Sequence, residues 1–393
     1  MMKIVRFVVY TVEIPMRFSV SHALADRKTA SNLLVQAVGE NGLAGWGESC
    51  PRPYVTGETI DAAKRDLAGS ILPLMVGARF SDLEEAAEAL TSMLPDLQRG
   101  RQAAFCAAEL AVLDLAGKTF GLSAGEVVGP IARRRVRYSA VIAASDCAKV
   151  AKYAALIRLF GFRDVKVKVW RSLERNLELL ETARRVLGDA VDVRIDANGA
   201  WSADEAIRQL ERLSQFNLAA VEQPVGADDL EGMKAVTAAR LLPVVADESL
   251  CSMHDAETLI EQQAADVFNL RVSKCAGLIN TMRIYRKASR AGLACQLGAQ
   301  VGETAILSAA GRHIATRCPS IRWCEGSYGR LLLKHNIARP GMTLGRGGWA
   351  RAVDRPGLGV EPDVRRITRY ATGAIEVCSN AIVETEKGAM PCA

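Results

Sequence analysis

The stretch Asp164-Val165-Lys166-Val167-Lys168-Val169-Trp170 decides how the chain is read. Its valines alternate with lysines. A strand carries successive side chains on opposite faces, so Lys166 and Lys168 share one face and the valines the other. Taken alone, the segment reads as an edge strand with a solvated lysine face. In a parallel barrel the valines would instead pack on outer helices and both lysines would point inward, where lysines are rare unless paired or functional. The flanking segments choose between the two.

A strand-then-helix rhythm surrounds this stretch. Strand patterns occupy 136–142, 164–170, 191–196, 219–222, 243–247, 267–274, 294–298 and 320–325, with helical apolar spacing between them. Eight strands with crossover helices over this length predict an α/β fold of the (β/α)8 type, a modified TIM barrel, over 131–340. Upstream, strands at 3–12, 31–38 and 45–48 precede a helical stretch over 59–121, which predicts an α+β capping domain over 1–130. Two loops, 17–23 with His22 and 50–59 with Tyr54, interrupt that sheet. The segment 341–393 is Gly- and Pro-rich at 357–363 and strand-like at Ile375-Glu376-Val377. It is expected to return to the capping domain and to end in a loose tail from Glu384.

Composition narrows the class. Of 393 residues, 49% are hydrophobic and 24% charged, as in ordinary globular proteins. The net charge of +6 is spread without a basic cluster, so no nucleic-acid partner is expected. Ten cysteines without a C-x-x-C pair suit free thiols in a reducing cytosol. No stretch reaches the length of a membrane span and no signal peptide is read at the start, so a cytoplasmic location is expected.

In a barrel the chemistry sits at the C-terminal ends of the strands. Those ends hold Lys166 and Lys168, Asp196 with Asn198 beyond it, Glu222, Asp247-Glu248, Lys274 and Glu325. Asp196, Glu222, Asp247 and Lys274 follow one another at intervals of 26, 25 and 27 residues, one βα unit each. Three carboxylates on one rim repel unless a cation lies between them, and hard oxygen donors suit Mg2+ better than zinc. His22, His254, His313 and His335 are too scattered for a zinc site. A lysine near a metal and a second ammonium is expected to have its pKa lowered, which fits it for proton transfer. Lys166 and Lys168 face Lys274 across the barrel, and two such lysines on opposite sides of a metal-bound substrate would remove a proton from one face and supply one on the other. If its pKa is raised, a protonated Glu325 would add a hydrogen bond.

These residues carry a family resemblance. The Lys-x-Lys strand, Asp196-Ala197-Asn198, Val221-Glu222-Gln223-Pro224, Ala246-Asp247-Glu248-Ser249 and Lys274 with Gly277 resemble the enolase superfamily, in particular its mandelate racemase/muconate lactonizing branch and within it the muconate lactonizing (muconate cycloisomerase) subgroup. The resemblance implies Asp196, Glu222 and Asp247 as Mg2+ ligands, with Mn2+ as a substitute. It implies Lys168 and Lys274 as the acid/base pair, Lys166 beside them, and Asn198 and Glu248 supporting the ligands. The loops of His22 and Tyr54 would close over the substrate, with Gln300, Glu303, Glu325, Ser327 and Trp323 as further contacts.

Two departures stand out. Cys275-Ala276-Gly277 replaces the two glycines common after the strand-six lysine, and Glu325-Gly326-Ser327 replaces the Asp-x-Asp of dipeptide epimerases. The expected function is a Mg2+-dependent isomerase, either a racemase/epimerase or a muconate-type cycloisomerase. It would act on a small carboxylate through a metal-stabilised enediolate, as a homo-oligomer. A lyase on the same framework, either an acid dehydratase or an o-succinylbenzoate synthase-like enzyme, is the alternative. A carboxylate-binding protein without catalysis and a Schiff-base aldolase are more distant ones.

Overall fold

The computed structural model describes residues 1–22, 25–95, 97, 99–379 and 381–386, and only the backbone of 20–22, 25, 26 and 386. The first layer is an antiparallel sheet of β1 (Met2–His22), β2 (Ala25–Gly39) and β3 (Ala44–Ser49). The strand expected over 3–12 continues to His22, so the part of the expected 17–23 loop up to His22 is strand, and its last residue lies outside the described residues. β1 and β2 form one long hairpin with an irregularity between Pro15 and Val20. Helix α2 (Gln102–Phe120) covers this sheet, and α1 (Leu83–Ser92) packs on α2. Gly45 and Gly47 lie directly under α2, where a Cβ would run into the backbone of Ala107 and Ala111.

The second part is a row of eight parallel strands with helices between them: β4 (Ala140–Ile142), α3 (Cys147–Phe160), β5 (Asp164–Lys168), α4 (Leu173–Leu187), β6 (Asp192–Asp196), α5 (Ala203–Leu213), β7 (Leu218–Glu222), α6 (Leu230–Ala238), β8 (Val244–Ala246), α7 (Met253–Glu261), β9 (Val267–Leu270), α8 (Gly277–Arg290), β10 (Ala294–Leu297), α9 (Ala305–Arg317) and β11 (Ile321–Cys324). The Ser139 amide donates to the Cys324 carbonyl at 2.7 Å, joining the first and last strands of the row. Val165 and Val167 are fully buried, on the opposite face of β5 from the lysines.

Two boundaries differ from the expected ones. The segment 136–142 divides, because Arg135–Arg137 pairs antiparallel with Trp349–Arg351 and only Ala140–Ile142 joins the barrel row. Strand β9 stops at Leu270, and a turn through 272–276 carries Lys274 into α8.

After the barrel, α10 (Val364–Tyr370) leads into β12 (Ala371–Cys378), which pairs antiparallel with β1, and into β13 (Ala381–Glu386). Because β13 pairs with β12 up to Glu386, the chain is not loose at Glu384. The remaining tail lies outside the described residues.

Buried carboxylates fasten the two parts. Glu109 of α2 accepts from Leu278 N at 2.6 Å and Ile279 N at 3.0 Å, at the start of α8. Glu48 of β3 accepts from the amides of Thr304 and Leu307 and the Thr304 hydroxyl, at the start of α9. The orphan amides of a helix N-terminus favour a negative partner, so each contact fixes a barrel helix against the cap.

Candidate active site

Adjacent parallel strands set the site's register. Lys166 pairs with Arg194 and Lys168 with Asp196 across β5 and β6, and Asp196 pairs with Glu222 across β6 and β7. The two-residue period therefore turns Lys166, Lys168, Arg194, Asp196 and Glu222 to the same side, and Asp247 follows directly after β8. Left-handed backbone at Asn198 (φ 46°) and Gln223 (φ 38°) redirects the chain after β6 and β7. The Gln223 amide oxygen accepts from Asp247 N at 2.9 Å, so it positions that carboxylate.

Charges are tightly interleaved. The Lys166 ammonium lies 3.1 Å from Asp196, 3.0 Å from Glu222 and 2.7 Å from Glu325. Lys168 Nζ donates to Asp196 Oδ2 and to Asn198 Oδ1, both at 2.6 Å. Lys274 Nζ donates to Asp247 Oδ1 at 2.9 Å. The Arg271 guanidinium contacts Asp247 and stands 3.9 Å from Glu248 and 4.0 Å from Glu222. Glu222 also accepts from Asn269 Nδ2 at 3.1 Å and Gln296 Nε2 at 2.7 Å.

Burial and pairing set the protonation states. Burial works against the Lys166 charge, but Glu222, Glu325 and Asp196 outweigh it and hold the ammonium above the usual lysine range. The lowering expected for lysines here thus does not apply to Lys166, which stays charged. It does apply to Lys274, whose pKa is lowered, chiefly by burial. Burial raises the carboxyl of Asp196, but Lys168 and Lys166 reverse this and keep it well below the usual range. Burial, with Asp196 nearby, pushes Glu248 up to about 7. Glu325 is likewise pushed up by burial, yet Lys166 and Arg194 bring it below the usual carboxylate range. The raised pKa on which a donating Glu325 depends is therefore not found, and its carboxylate accepts from Lys166 and Arg194.

A cavity of about 450 Å³ opens onto this cluster, with Tyr54, Lys166, Lys168, Asn198, Glu248, Arg271, Gln300, Glu303 and Glu325 in its wall. Asp196, Glu222, Asp247 and Lys274 are fully buried and do not line it. Gln300 accepts from Arg271 Nη1 at 3.4 Å, and the Glu303 carboxylate accepts from the Ser308 hydroxyl at 3.0 Å. Ser327 does not line this cavity, and its hydroxyl accepts from Arg312 at 2.9 Å. Trp323 also does not line it, since its ring lies under the Arg194 guanidinium at 4.5 Å inside the barrel. The His22 side chain lies outside the described residues.

Among the described residues no three His, Cys, Asp or Glu side chains converge closely enough to hold an ion as they stand. Lys166 bridges Asp196 and Glu222, while Arg271 binds Asp247 and extends toward Glu222. The chemistry nevertheless fits a hard cation. Asp196, Glu222 and Asp247 are fully buried oxygen donors on neighbouring strands, and Glu248 Oε2 is buried without a hydrogen-bond partner.

Residues 4–129 match the mandelate racemase/muconate lactonizing enzyme N-terminal domain, and 149–367 match the enolase C-terminal domain-like family. The chain belongs to the mandelate racemase/muconate lactonizing enzyme family. An L-Lys-D/L-Arg epimerase of Methylococcus capsulatus is 30% identical over 366 residues, covering 92% of this chain and 100% of the relative. The crystal structure of an N-succinyl Arg/Lys racemase from Bacillus cereus superposes with a TM-score of 0.89 at 25% identity, covering 95% of this chain and 100% of that one. A dipeptide epimerase from Enterococcus faecalis, complexed with Mg and the dipeptide L-Leu-L-Tyr, gives a TM-score of 0.83 at 26% identity, covering 91% and 99%. The chain is an isomerase of this family.

Two contributors to the site go beyond the residues named from sequence. Arg194 pairs with Glu325 at 2.7 Å beneath the site, and its inward direction follows from the period that turns Asp196 inward. Arg271 enters the mouth because β9 ends four residues before Lys274.

Proposed function

We propose that this protein is a Mg2+-dependent racemase or epimerase that moves the α-proton of a small carboxylate. The observation that carries this reading is the placement of Lys168 and Lys274. Lys168 ends β5 and Lys274 follows β9, four strands apart in a row of eight, so they lie across the barrel from each other. The acidic ends of β6, β7 and β8 lie between them.

Asp196, Glu222 and Asp247 would hold the ion, with Glu248 beside them. Bound there, Mg2+ supplies a Lewis acid for the substrate's carboxylate. The chain's own groups do the rest. Asn198 fixes Lys168 through its amide oxygen, and burial lowers the proton affinity of Lys274. One lysine takes the α-proton as general base while the other delivers a proton to the opposite face, and the roles exchange for the reverse substrate. Lys166, tied to three carboxylates, keeps a fixed positive charge beside the reacting carboxylate.

The test is α-deuterium incorporation in D2O with Mg2+, comparing the wild type with Lys168→Ala and Lys274→Ala. Each substitution is expected to slow exchange by about 10²–10⁴-fold, the usual contribution of a general acid or base. Wild-type rates in both variants would overturn the assignment. We further propose a homo-oligomer in the cytoplasm with a small-molecule carboxylate as its only required partner. Nine cysteines among the described residues are free thiols, and no helix among them is long and apolar enough to cross a membrane.

A further inference from the structure

The cavity is much larger than a small carboxylate needs, and its two ends differ in kind. Its volume of about 450 Å³ lies in the range that encloses a drug-sized ligand. Ionised or ionisable groups line the inner end, next to the lysines. The outer end is walled by Tyr153, Leu156 and Phe160 of α3, by Phe18 of β1 and by Leu331 of the short helix Gly329–Leu332. The charged residues of α3, Lys149, Lys152 and Arg158, are not part of the wall.

Large apolar side chains at the lip are open to solvent, with Leu156 42%, Phe160 56% and Leu331 62% exposed. Contiguous exposed apolar surface of this kind marks a binding site. Among the described residues that line the cavity the carboxylates are Glu248, Glu303 and Glu325, none of them on α3, β1 or the Gly329–Leu332 helix, and Glu325 is already bound at 2.7 Å by both Lys166 and Arg194.

Building on the function proposed above, we infer that the substrate is a carboxylate whose far end is a long, uncharged hydrocarbon group seated between α3 and Leu331. The occupant follows from continuity. The apolar channel is the same cavity that reaches Lys168 and Arg271, so a ligand anchored there by its carboxylate meets a mainly apolar wall outward among the described residues, with Ser19 and the tyrosine hydroxyls its polar groups.

The experiment uses N-acyl-alanines with acetyl, butanoyl, hexanoyl and octanoyl chains and the full protein with Mg2+. It measures affinity by calorimetry and α-deuterium incorporation by NMR. Both kcat/KM and affinity are expected to rise about fourfold per methylene, the fold-change equivalent of ~0.8 kcal/mol per buried CH2. In a Leu156→Glu/Phe160→Glu variant, and separately in Leu331→Glu, the octanoyl-to-acetyl ratio should collapse towards one. These positions are solvent-exposed, so the substitutions do not threaten folding.

Exchange on the acetyl compound with no gain along the series overturns the hydrocarbon seat and leaves the isomerase reading in place. Affinity that rises with chain length without any exchange keeps the seat and overturns the isomerase reading. Neither binding nor exchange overturns both. A flat series together with a dimer that the Leu156→Glu/Phe160→Glu variant dissociates assigns the lip to a second copy of the chain and overturns the inference.

Discussion

The Lys168 ammonium donates to the Asn198 amide oxygen at 2.6 Å, and the Asn198 amide nitrogen donates to Glu248 at 3.2 Å. One side chain thus orients both a proposed proton carrier and the carboxylate beside the proposed ion. Replacing Asn198 with Ala is expected to lower kcat for α-proton exchange by about 10–100-fold, the usual cost of losing such a supporting hydrogen bond. KM should change less. An unchanged kcat would show that Lys168 is positioned by Asp196 alone.

Chelation should stop exchange. Treatment with EDTA is expected to abolish α-deuterium incorporation, and added Mg2+ to restore it. Asp247→Asn should shift the Mg2+ titration at least tenfold to higher concentration, as removal of a charged oxygen donor requires. Exchange that persists in EDTA would separate the lysines from any metal chemistry.

Arg271 competes for the same carboxylates. Its guanidinium contacts Asp247 and reaches towards Glu222 and Glu248, so a cation entering there must displace it. Arg271→Met keeps the apolar stem and removes the like charge. The Mg2+ dissociation constant, measured by calorimetry, should fall about tenfold, the equivalent of ~1.4 kcal/mol and a modest share of the repulsion between close charges. A weaker or unchanged affinity would show that the guanidinium does not oppose the ion.

Glu303 gives the protein a pH signature. Burial, reinforced by Glu48, raises its pKa from the ordinary value to about 8. A group whose folded pKa is raised adds stability that is complete below the unfolded value, near 4.3, and is lost as pH rises through the folded one. Thermal stability should therefore decline from about pH 5 to pH 8, by a magnitude of order a few kcal/mol. Glu303→Gln mimics the neutral carboxyl. It should melt close to the wild type at pH 5 and show a flatter decline. An equally steep decline would place the titration elsewhere.

Ala276 occupies a left-handed conformation at φ 61° and ψ 40° ahead of α8. That region costs an L-residue roughly 1–2 kcal/mol, partly offset by the greater freedom of glycine in the unfolded chain. Ala276→Gly should stabilise the protein by about 0.5 kcal/mol, seen as a small rise in melting temperature. A fall would mean that the Ala276 methyl contributes packing greater than this strain.

The barrel and the inward-facing residues of β5 to β7 are legible in the sequence because a period of two is rigid. Once Lys166 and Lys168 face inward, the register of each neighbouring strand follows from its own alternation. The mouth after β9 is not legible in that way. Read as a strand to Lys274, the segment puts Asn269 and Arg271 on the face opposite that lysine. In the fold the strand stops at Leu270, Asn269 faces inward onto Glu222, and the turn brings both Arg271 and Lys274 to the site. The hairpin through 17–22 hides for a different reason, since its polar residues resemble a loop while their backbone pairing depends on a partner strand. Ser327 and Trp323 show that position near a strand end does not settle direction. One is held by Arg312 and the other lies under Arg194, away from the cavity.

Glu48 and Glu109 give the architecture one more consequence. Each carboxylate sits on a cap element and neutralises the first turn of a barrel helix. A barrel severed from its cap would leave two helix ends without these acceptors, and in the cap Glu109 would lose both amide donors while Glu48 would keep only Asn32. Each half depends on the other for these buried contacts, so a single cooperative melting transition is expected. The contacts of Glu48 and Glu109 with the starts of α9 and α8 therefore hold the bodies of the two parts together.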